Sequence, residues 1–178
     1  PYELSNENDL RVSGDTLNVE KADLDKIDFG ELKVLLVEDN EINVLYAKTV
    51  LMKFNCKVDI AENGRIAIDK IRDNDYKMIL MDLQMPEMDG YKATQIIRNE
   101  FPAPKNTIPI IAVTANALKG EREKCLAAGM NDYISKPFEP KTLESVLIQY
   151  HQVKLSDKEM VKTIMNSANR KPEKLVDL

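Results

Sequence analysis

The chain has 178 residues and a mass of 20.3 kDa, a size that suits one domain of ordinary dimensions with extensions. Its formal net charge of -5 and pI of about 5.1 give no basic surface for nucleic acid, and no apolar run approaches the length of a membrane span. The two cysteines lack CxxC spacing, which is typical of reduced cytosolic thiols. We therefore expect a cytoplasmic protein that contacts neither nucleic acid nor membrane.

The two ends of the chain differ in composition from its middle. Residues 1–30 contain eight Asp or Glu and three Lys or Arg with few apolar residues, which predicts an acidic linker and a domain boundary near Glu31. Residues 151–178 form a C-terminal extension in which Ser156 and Glu159 make a capping box. The apolar residues that follow at helical spacing are Val161, Ile164, Met165 and Ala168.

This spacing predicts one short amphipathic helix at 157–168. The apolar side of such a helix needs a partner surface. Docking on the folded domain, pairing with another chain and joining a further domain are three open arrangements.

Residues 31–150 contain five repeats of a strand followed by a helix. The strands are predicted from short apolar runs at 33–37, 57–61, 78–82, 108–113 and 132–135. Helices are predicted from a cap at Asn40 to Phe54 and at 64–74, 91–100, 118–128 and 140–150. Each parallel crossover needs a helix and is right-handed. The repeats therefore predict an α/β fold, a doubly wound five-stranded parallel sheet with helices on both faces.

Polar side chains stand at the carboxyl ends of four predicted strands. Glu38 and Asp39 follow the first strand, Asp82 ends the third, Thr114 the fourth and Lys136 the fifth. These ends converge in an open parallel sheet, and grouped carboxylates are ligands that Mg²⁺ prefers. An ammonium and a hydroxyl suit the oxygens of a phosphoryl group. The set predicts phosphoryl transfer to a carboxylate, with Asp82 as the candidate nucleophile.

Each of these residues also has a purely structural explanation. Asp39 is a possible helix cap, Thr114 a β-branched strand end, Lys136 a solvated lysine and Tyr133 a core aromatic residue. Singly, the structural explanation is the better one for most of them. Their joint occurrence at the correct strand ends favours a site.

Four stretches resemble the response-regulator receiver domain of two-component signalling. They are VLLVEDN at 34–40, ILMDLQMPEMDGY at 79–91, PIIAVTANA at 109–117 and AAGMNDYISKPF at 127–138. The resemblance covers about two thirds of the chain and implies a flavodoxin-like sheet of strand order 2-1-3-4-5. The sequences VEDNEIN, MPEMDG and TANA are similar to those of receivers fused to hybrid sensor histidine kinases.

The resemblance implies that Asp82 accepts a phosphoryl group from a phosphohistidine. It implies a Mg²⁺ ion bound directly by Asp39 and Asp82, through water by Glu38, and by the backbone carbonyl of Gln84. It also implies three contacts to the phosphoryl group, made by the Thr114 hydroxyl, the Ala115 backbone N–H and the Lys136 ammonium.

Further roles follow from the same resemblance. The Lys136–Pro137 peptide bond is expected to be cis. Gln84 and Asn116 occupy the positions that tune dephosphorylation. Thr114 and Tyr133 form the expected switch: Thr114 moves toward the phosphoryl group, and the Tyr133 ring turns inward and remodels the face made by the fourth helix, fifth strand and fifth helix.

The expected partner is a histidine kinase or a histidine phosphotransfer protein, and a dimer through the same face or through the C-terminal helix is a further possibility. Two alternative interpretations remain open. The protein is a stand-alone receiver without an output domain, or it is a pseudo-receiver that only binds partners. A phosphatase of the haloacid dehalogenase type is disfavoured, because that class needs an Asp where Gln84 stands. Enzymatic activity beyond the receiver's own phosphorylation and dephosphorylation is left open, since a histidine kinase is one candidate for the parent chain.

Overall fold

The computed structural model describes residues 27–30, 32–116 and 120–151. Most of the predicted acidic linker and the helix predicted at 157–168 lie outside the described residues. Among the residues that are described, no helix is both long and apolar enough to cross a lipid bilayer.

The described residues form five strands and five α-helices that alternate along the chain, with one short 3₁₀ turn at Lys105–Thr107. The strands are β1 Lys33–Val37, β2 Lys57–Ala61, β3 Met78–Asp82, β4 Ile110–Thr114 and β5 Asp132–Ser135. The helices are α1 Glu41–Lys53, α2 Gly64–Asp73, α3 Gly90–Glu100, α4 Glu121–Ala128 and α5 Pro140–Tyr150.

The strands form one parallel sheet in the order β2-β1-β3-β4-β5. The central pair, β1 and β3, aligns Leu36 with Leu80, and β3 aligns Asp82 with Val113 of β4. The predicted doubly wound, flavodoxin-like sheet of order 2-1-3-4-5 is therefore confirmed.

Side chains of the strands alternate between two core clusters, one on each face of the sheet. Val34, Leu36 and Leu80 pack with the buried residues of α1 and α5. Leu35 and Ile79, their neighbours along the strands, pack with the buried residues of α2, α3 and α4. Because both faces are covered, β3 and β4 are buried along their whole length, as continuous apolar runs predict.

Helix α1 begins at the predicted cap. The Asn40 side chain accepts hydrogen bonds from the backbone N–H groups of Ile42 and Asn43, at 3.0 and 3.1 Å. This cap fixes the start of α1 directly after the Glu38-Asp39 pair, so both carboxylates lie at the junction of strand and helix.

Two predicted element starts differ from the structure by two residues or more. The fourth strand begins at Ile110 rather than at residue 108, because Pro109 has no N–H to donate to the sheet. The fourth helix begins at Glu121, because Gly120 has a left-handed φ of 98° that cannot continue into a right-handed helix. Residues 118–119 of the predicted helix lie outside the described part of the chain.

The core includes a residue that precedes the predicted boundary near Glu31. Phe29 is 3% exposed, and its backbone N–H donates to the carbonyl oxygen of Phe54 at 3.3 Å. Its ring also contacts the rings of Phe54 and His151. The last residues of the predicted linker thus pack on the domain, while the division of the chain into linker, domain and extension stays a prediction.

Candidate functional site

Three carboxylates meet at the carboxyl end of the central strands. Oxygen atoms of Glu38, Asp39 and Asp82 all lie within 4.8 Å of one another. Glu38 is 3% exposed and Asp82 7% exposed, whereas Asp39 is open to solvent. The predicted convergence is therefore present, with two buried oxygen ligands and one accessible ligand at the rim.

Lys136 joins this cluster from the end of β5. Its ammonium donates to Oδ2 of Asp82 at 2.9 Å and also to Oε2 of Glu38. The peptide bond from Lys136 to Pro137 is cis, as predicted. The lysine is thus an internal counter-ion of the carboxylates, and the alternative explanation of a solvated lysine does not hold.

The environment acts on Asp82 and Lys136 in different ways. Burial raises the pKa of the Asp82 carboxyl, and the hydrogen bonds from Lys136 and from the Gln84 N–H offset only part of this effect. Burial alone would lower the pKa of Lys136, but its hydrogen bonds to Glu38 and Asp82 outweigh burial and raise that pKa. The ammonium is therefore the more strongly held charge, and the Asp82 carboxylate gains from any added cation.

The chemistry of the donor set fits a divalent cation. Three ionised carboxylates and one ammonium leave two net negative charges in a small volume. The three carboxylates offer oxygen atoms, the ligand type of Mg²⁺, and the exposed position of Asp39 leaves room for bound water. Residues Glu38, Asp39 and Asp82 are therefore suited to hold Mg²⁺.

The backbone after β3 holds Asp82 closely. The N–H of Gln84 donates to Oδ1 of Asp82 at 3.2 Å, and the Gln84 side chain is exposed. Gly90 passes directly under the strand end, where an added Cβ would lie 2.2 Å from the Asp82 carbonyl oxygen. Only glycine allows this approach, which fixes the loop between β3 and α3 beside the carboxylate.

Thr114 ends β4 next to the acidic cluster and is 4% exposed. Its hydroxyl oxygen accepts a hydrogen bond from the backbone N–H of Asn116 at 3.0 Å. Ala115 and Asn116 are exposed at the same rim. The predicted hydroxyl is therefore buried at the strand end, and the two residues after it are exposed.

Tyr133 lies in β5, two residues along the chain from Ser135, the register partner of Thr114. Its ring is half-buried and packs against the core cluster of α2, α3 and α4. This position agrees with a core aromatic residue, and the predicted switching of the ring stays a prediction.

Two residues that support the site were not found from the sequence. Asn43 donates from Nδ2 to Oε1 of Glu38 at 3.1 Å, and the Asn40 N–H donates to the same oxygen at 3.1 Å. Tyr46 donates from its hydroxyl to the carbonyl oxygen of Phe138 at 2.7 Å, which ties α1 to the loop after Lys136. The sequence pattern does not indicate that a polar residue in the first turns of a helix makes such a contact. The one indication is that the residue lies close in sequence to the end of β1.

A family profile described as "Response regulator receiver domain" matches residues 34–148. The chain belongs to this family. Receiver domains act in two-component phosphorelays, where they interact with histidine kinases or phosphotransfer proteins.

The relatives of the receiver include hybrid histidine kinases from distant organisms. Hybrid signal transduction histidine kinase G of Dictyostelium discoideum is 42% identical over 127 residues, which cover 70% of this chain and 4% of that protein. Histidine kinase 5 of Arabidopsis thaliana is 38% identical over 171 residues, covering 83% of this chain and 18% of that protein. ArcB, the aerobic respiration control sensor protein of Escherichia coli, is 34% identical over 156 residues, covering 88% and 19%.

The receiver is thus similar to the receiver modules of hybrid histidine kinases, and it spans less than a fifth of the length of these three relatives.

Solved structures agree with the fold and with a magnesium site in the family. The receiver domain of a sensor histidine kinase from Pseudomonas aeruginosa is 41% identical, with a TM-score of 0.62, and covers 67% of this chain and 96% of that chain. That structure has a magnesium ion coordinated in its active site cleft. The chemotaxis protein CheY4 of Vibrio cholerae is 26% identical, with a TM-score of 0.61, covering 66% and 97%.

Proposed function

We propose that Asp82 is the phosphoacceptor of this receiver. In the proposed reaction a carboxylate oxygen of Asp82 attacks the phosphorus atom of a phosphohistidine. The new P–O bond forms as the P–N bond breaks, and the imidazole leaves with the electron pair and takes up a proton. The observation that carries this proposal is the buried Asp82 carboxylate, hydrogen-bonded to Lys136 and within 4.8 Å of two further carboxylates.

The residues around Asp82 have separate tasks in this proposal. The Lys136 ammonium, which already lies 2.9 Å from Asp82, neutralises an oxygen of the incoming phosphoryl group. The Thr114 hydroxyl and the Ala115 N–H donate to other oxygens of the group. Positioned donors of this kind stabilise the charge on the equatorial oxygens during the transfer.

Asp39 and Asp82 would hold Mg²⁺ directly, with Glu38 acting through water and the Gln84 carbonyl oxygen as a further ligand. When bound, the ion supplies the positive charge that lets an anionic donor approach an anionic acceptor. Gln84 and Asn116 are exposed residues, each two positions after a strand-end residue of the site, and would set how readily water reaches the acyl phosphate.

The phosphoryl group is also proposed to act as a switch. It adds about two negative charges at the rim of the site, where Thr114 and Lys136 can be drawn toward it. Movement of Thr114 would leave space for the Tyr133 ring, which is only half-buried, and so change the surface of α4, β5 and α5. This surface is the proposed site of partner binding or dimerisation.

The parent protein is proposed to be a hybrid histidine kinase with this receiver near its C-terminus, and its donor a histidine kinase or histidine phosphotransfer protein. The support is the similarity to receivers of such kinases over most of the chain. A stand-alone receiver that acts through protein contacts is the second candidate, and the exposed apolar residues on α1, such as Ile42 and Leu45, favour protein contacts in either case.

The test uses the protein with Mg²⁺ and acetyl phosphate, followed by intact mass and NMR spectroscopy. We expect one base-labile adduct, shifts that spread from Asp82 to Thr114 and Tyr133, and loss of the adduct in Asp82→Asn. Asp39→Asn serves as a matched variant, since it removes a proposed metal ligand and keeps the acceptor. It should slow formation of the adduct without moving the modification to another residue.

Folded protein that forms no adduct under these conditions would contradict the proposal and favour the pseudo-receiver. An adduct that survives in Asp82→Asn would assign the acceptor to another residue.

A further inference from the structure

The loop between β3 and α3, residues 83–89, is held from its side by the N-terminal end of α2. The backbone N–H of Gly64 donates to the carbonyl oxygen of Met88 at 3.0 Å. The side-chain Nδ2 of Asn63 donates to Oε2 of Glu87 at 3.3 Å. In both contacts the partners are 24 residues apart in the chain. We call these two contacts the loop clamp.

Asn63 binds on two sides with the two ends of its amide group. Its Oδ1 accepts a hydrogen bond from the N–H of Ile66 at 3.0 Å and so caps α2, while its Nδ2 binds the loop. Asn63 is 6% exposed, and a buried amide without a partner for its N–H groups would be costly. An aspartate would cap the helix equally well but offers no donor. The contact with Glu87 is therefore what distinguishes asparagine at this position.

The two segments of the loop clamp are in close contact. An added Cβ at Gly64 would lie 2.8 Å from the Met88 carbonyl oxygen and 2.9 Å from the Cβ of Ala93. The backbone of the loop therefore lies directly against the start of α2, with no space for a side chain between them.

The clamped part of the loop has a strained backbone. Glu87 has a φ of 65°, in the left-handed region that residues other than glycine rarely adopt. The N–H of Met88 donates to the carbonyl oxygen of Pro86 at 2.7 Å, so Glu87 is the central residue of a γ-turn with positive φ. Such a conformation persists only where the surrounding structure holds it. The loop clamp holds it at the Glu87 side chain and at the Met88 carbonyl group.

The same loop carries groups of the acidic site. The N–H of Gln84 donates to Oδ1 of Asp82 at 3.2 Å, and the Gln84 carbonyl oxygen is a proposed ligand of Mg²⁺. The N–H of Gly90 donates to the carbonyl oxygen of Leu83 at 3.1 Å, which closes the base of the loop. A loop that is closed at its base and clamped at its far end has little freedom in between. The position of the Gln84 carbonyl group therefore depends on the loop clamp.

We propose that Asn63 is a positioning residue for the metal site, which acts through Glu87 and the loop backbone on the carbonyl oxygen of Gln84. In this proposal Asn63 contacts neither the ion nor the phosphoryl group. It holds the loop in the strained conformation that keeps Gln84 beside Asp82. The inference rests on the proposed function, because Mg²⁺ is the group that the positioned loop would bind.

The test reverses the direction of the hydrogen bond between residues 63 and 87. Asn63→Asp keeps a capping oxygen for α2 but sets a carboxylate against the Glu87 carboxylate. Asn63→Asp combined with Glu87→Gln places the acceptor at 63 and the donor at 87, so the bond can form again. Asn63→Asp combined with Glu62→Gln is the matched control, because it restores the net charge at an exposed neighbour and leaves the Glu87 carboxylate unchanged.

Isothermal titration without a phosphodonor measures the affinity for Mg²⁺. We expect Asn63→Asp to raise the Kd about threefold, less than the roughly tenfold rise typical of a residue that directly orients a ligand. The added negative charge alone would lower the Kd, so the sign of the change separates loss of the loop clamp from charge. The Kd should return to the wild-type value with Glu87→Gln and stay raised with Glu62→Gln.

Backbone amide NMR of the metal-free protein gives a second measurement. The amide signals of Gln84 and Met85 should shift in Asn63→Asp, return with Glu87→Gln and stay shifted with Glu62→Gln. Thermal unfolding of the same variants shows whether α2 keeps its cap. A role of Asn63 in capping alone would not move the signals of the loop or respond to the change at residue 87.

Three results would overturn the role of Asn63. A Kd that falls in Asn63→Asp would leave charge as the effect of the substitution. Equal Kd values in the two double variants would show that the bond to Glu87 has no influence on the ion. Amide shifts confined to Ile66 and the rest of α2 would limit Asn63 to capping.

The proposed function fails in a different way. A wild-type protein that binds no Mg²⁺ would contradict the proposed metal site itself, whatever the variants show. A wild-type protein that binds Mg²⁺, with the same Kd in all variants, would contradict only the positioning role of Asn63.

Discussion

The two ends of the sheet place aspartates in opposite electrostatic environments. At the carboxyl end, burial beside Glu38 raises the pKa of Asp82. Toward the amino end, Asp59 accepts a hydrogen bond from the Tyr76 hydroxyl at 2.7 Å and lies 3.3 Å from the Lys33 ammonium. The hydrogen bond from Tyr76 is the main reason that the pKa of Asp59 is lowered.

This difference separates residues that serve the fold from residues that serve the site. A carboxylate whose pKa is lowered by folding adds to the free energy of unfolding when it is ionised. A carboxylate whose pKa is raised by folding reduces the free energy of unfolding when it is ionised. Clusters of the second kind are typical of functional sites. The ionised Asp82 carboxylate therefore lowers the stability of the fold, and it places negative charge where a cation and a phosphoryl group can bind.

The largest effect is expected for Gly90→Ala, since the carboxyl end depends on a close backbone approach. The added Cβ would lie 2.2 Å from the Asp82 carbonyl oxygen, and a buried strand cannot move away easily. We expect the free energy of unfolding to fall by about 3 kcal/mol, measured by chemical denaturation.

Gly120→Ala is the matched control, because its φ of 98° is strained for alanine but open space surrounds it. It should cost about 1 kcal/mol. Gly90 itself has no left-handed φ, so a loss no larger than that of Gly120→Ala would contradict the large cost assigned to the contact under Asp82.

The next effect concerns Asn43, which holds Glu38 through a hydrogen bond of 3.1 Å. Loss of a residue that orients a metal ligand typically weakens metal affinity by about tenfold or more. We expect Asn43→Ala to raise the Kd for Mg²⁺ about tenfold in an isothermal titration. Thr49→Ala, a change on the same helix away from Glu38, should leave the Kd unchanged, and an equal rise in both would assign the effect to α1 as a whole.

A smaller effect on stability, opposite in sign to that of Gly90→Ala, is expected for Asp82→Asn without Mg²⁺. The raised pKa means that the protonated carboxyl is favoured in the folded state, so stability is greatest below the unfolded pKa and is lost as the pH rises through the folded pKa. Removing the charge should therefore stabilise the protein at neutral pH, by about 1 kcal/mol.

The gain from Asp82→Asn should shrink as the pH is lowered, because the wild-type carboxyl then becomes protonated. Thermal unfolding at several pH values measures this dependence. A stability loss at neutral pH would mean that the ion pair with Lys136 outweighs burial.

The site's main residues could be predicted from the sequence because each ends a strand, and strand ends in a parallel sheet converge by topology. Asp82 and Lys136 are 54 residues apart in the chain and form an ion pair in the structure. The supporting contacts could not be predicted in this way, since Asn43 reaches Glu38 only through the angle at which α1 leaves β1.

The element ends that were missed depend on backbone conformation and long-range packing. β4 starts after Pro109, which lacks an N–H, and α4 starts after Gly120, which has a positive φ. The apolar pattern in the sequence continues past both residues and therefore predicted starts that were too early. Phe29 lies within an acidic stretch, and its place in the core requires Phe54 to be brought beside it.

The smallest effect is expected at the amino end, for Asp59→Asn. The lowered pKa of Asp59 contributes stability above the unfolded pKa, and this contribution is lost as the pH falls through the folded pKa. The side chain is 38% exposed, so solvent screens the interaction and the expected loss at neutral pH is about 0.5 kcal/mol. Asp59→Asn and Asp82→Asn should therefore change stability in opposite directions at neutral pH. A double-mutant cycle with Tyr76→Phe measures the coupling that causes this loss, and a coupling near zero would contradict the stabilising role of the Tyr76 hydrogen bond.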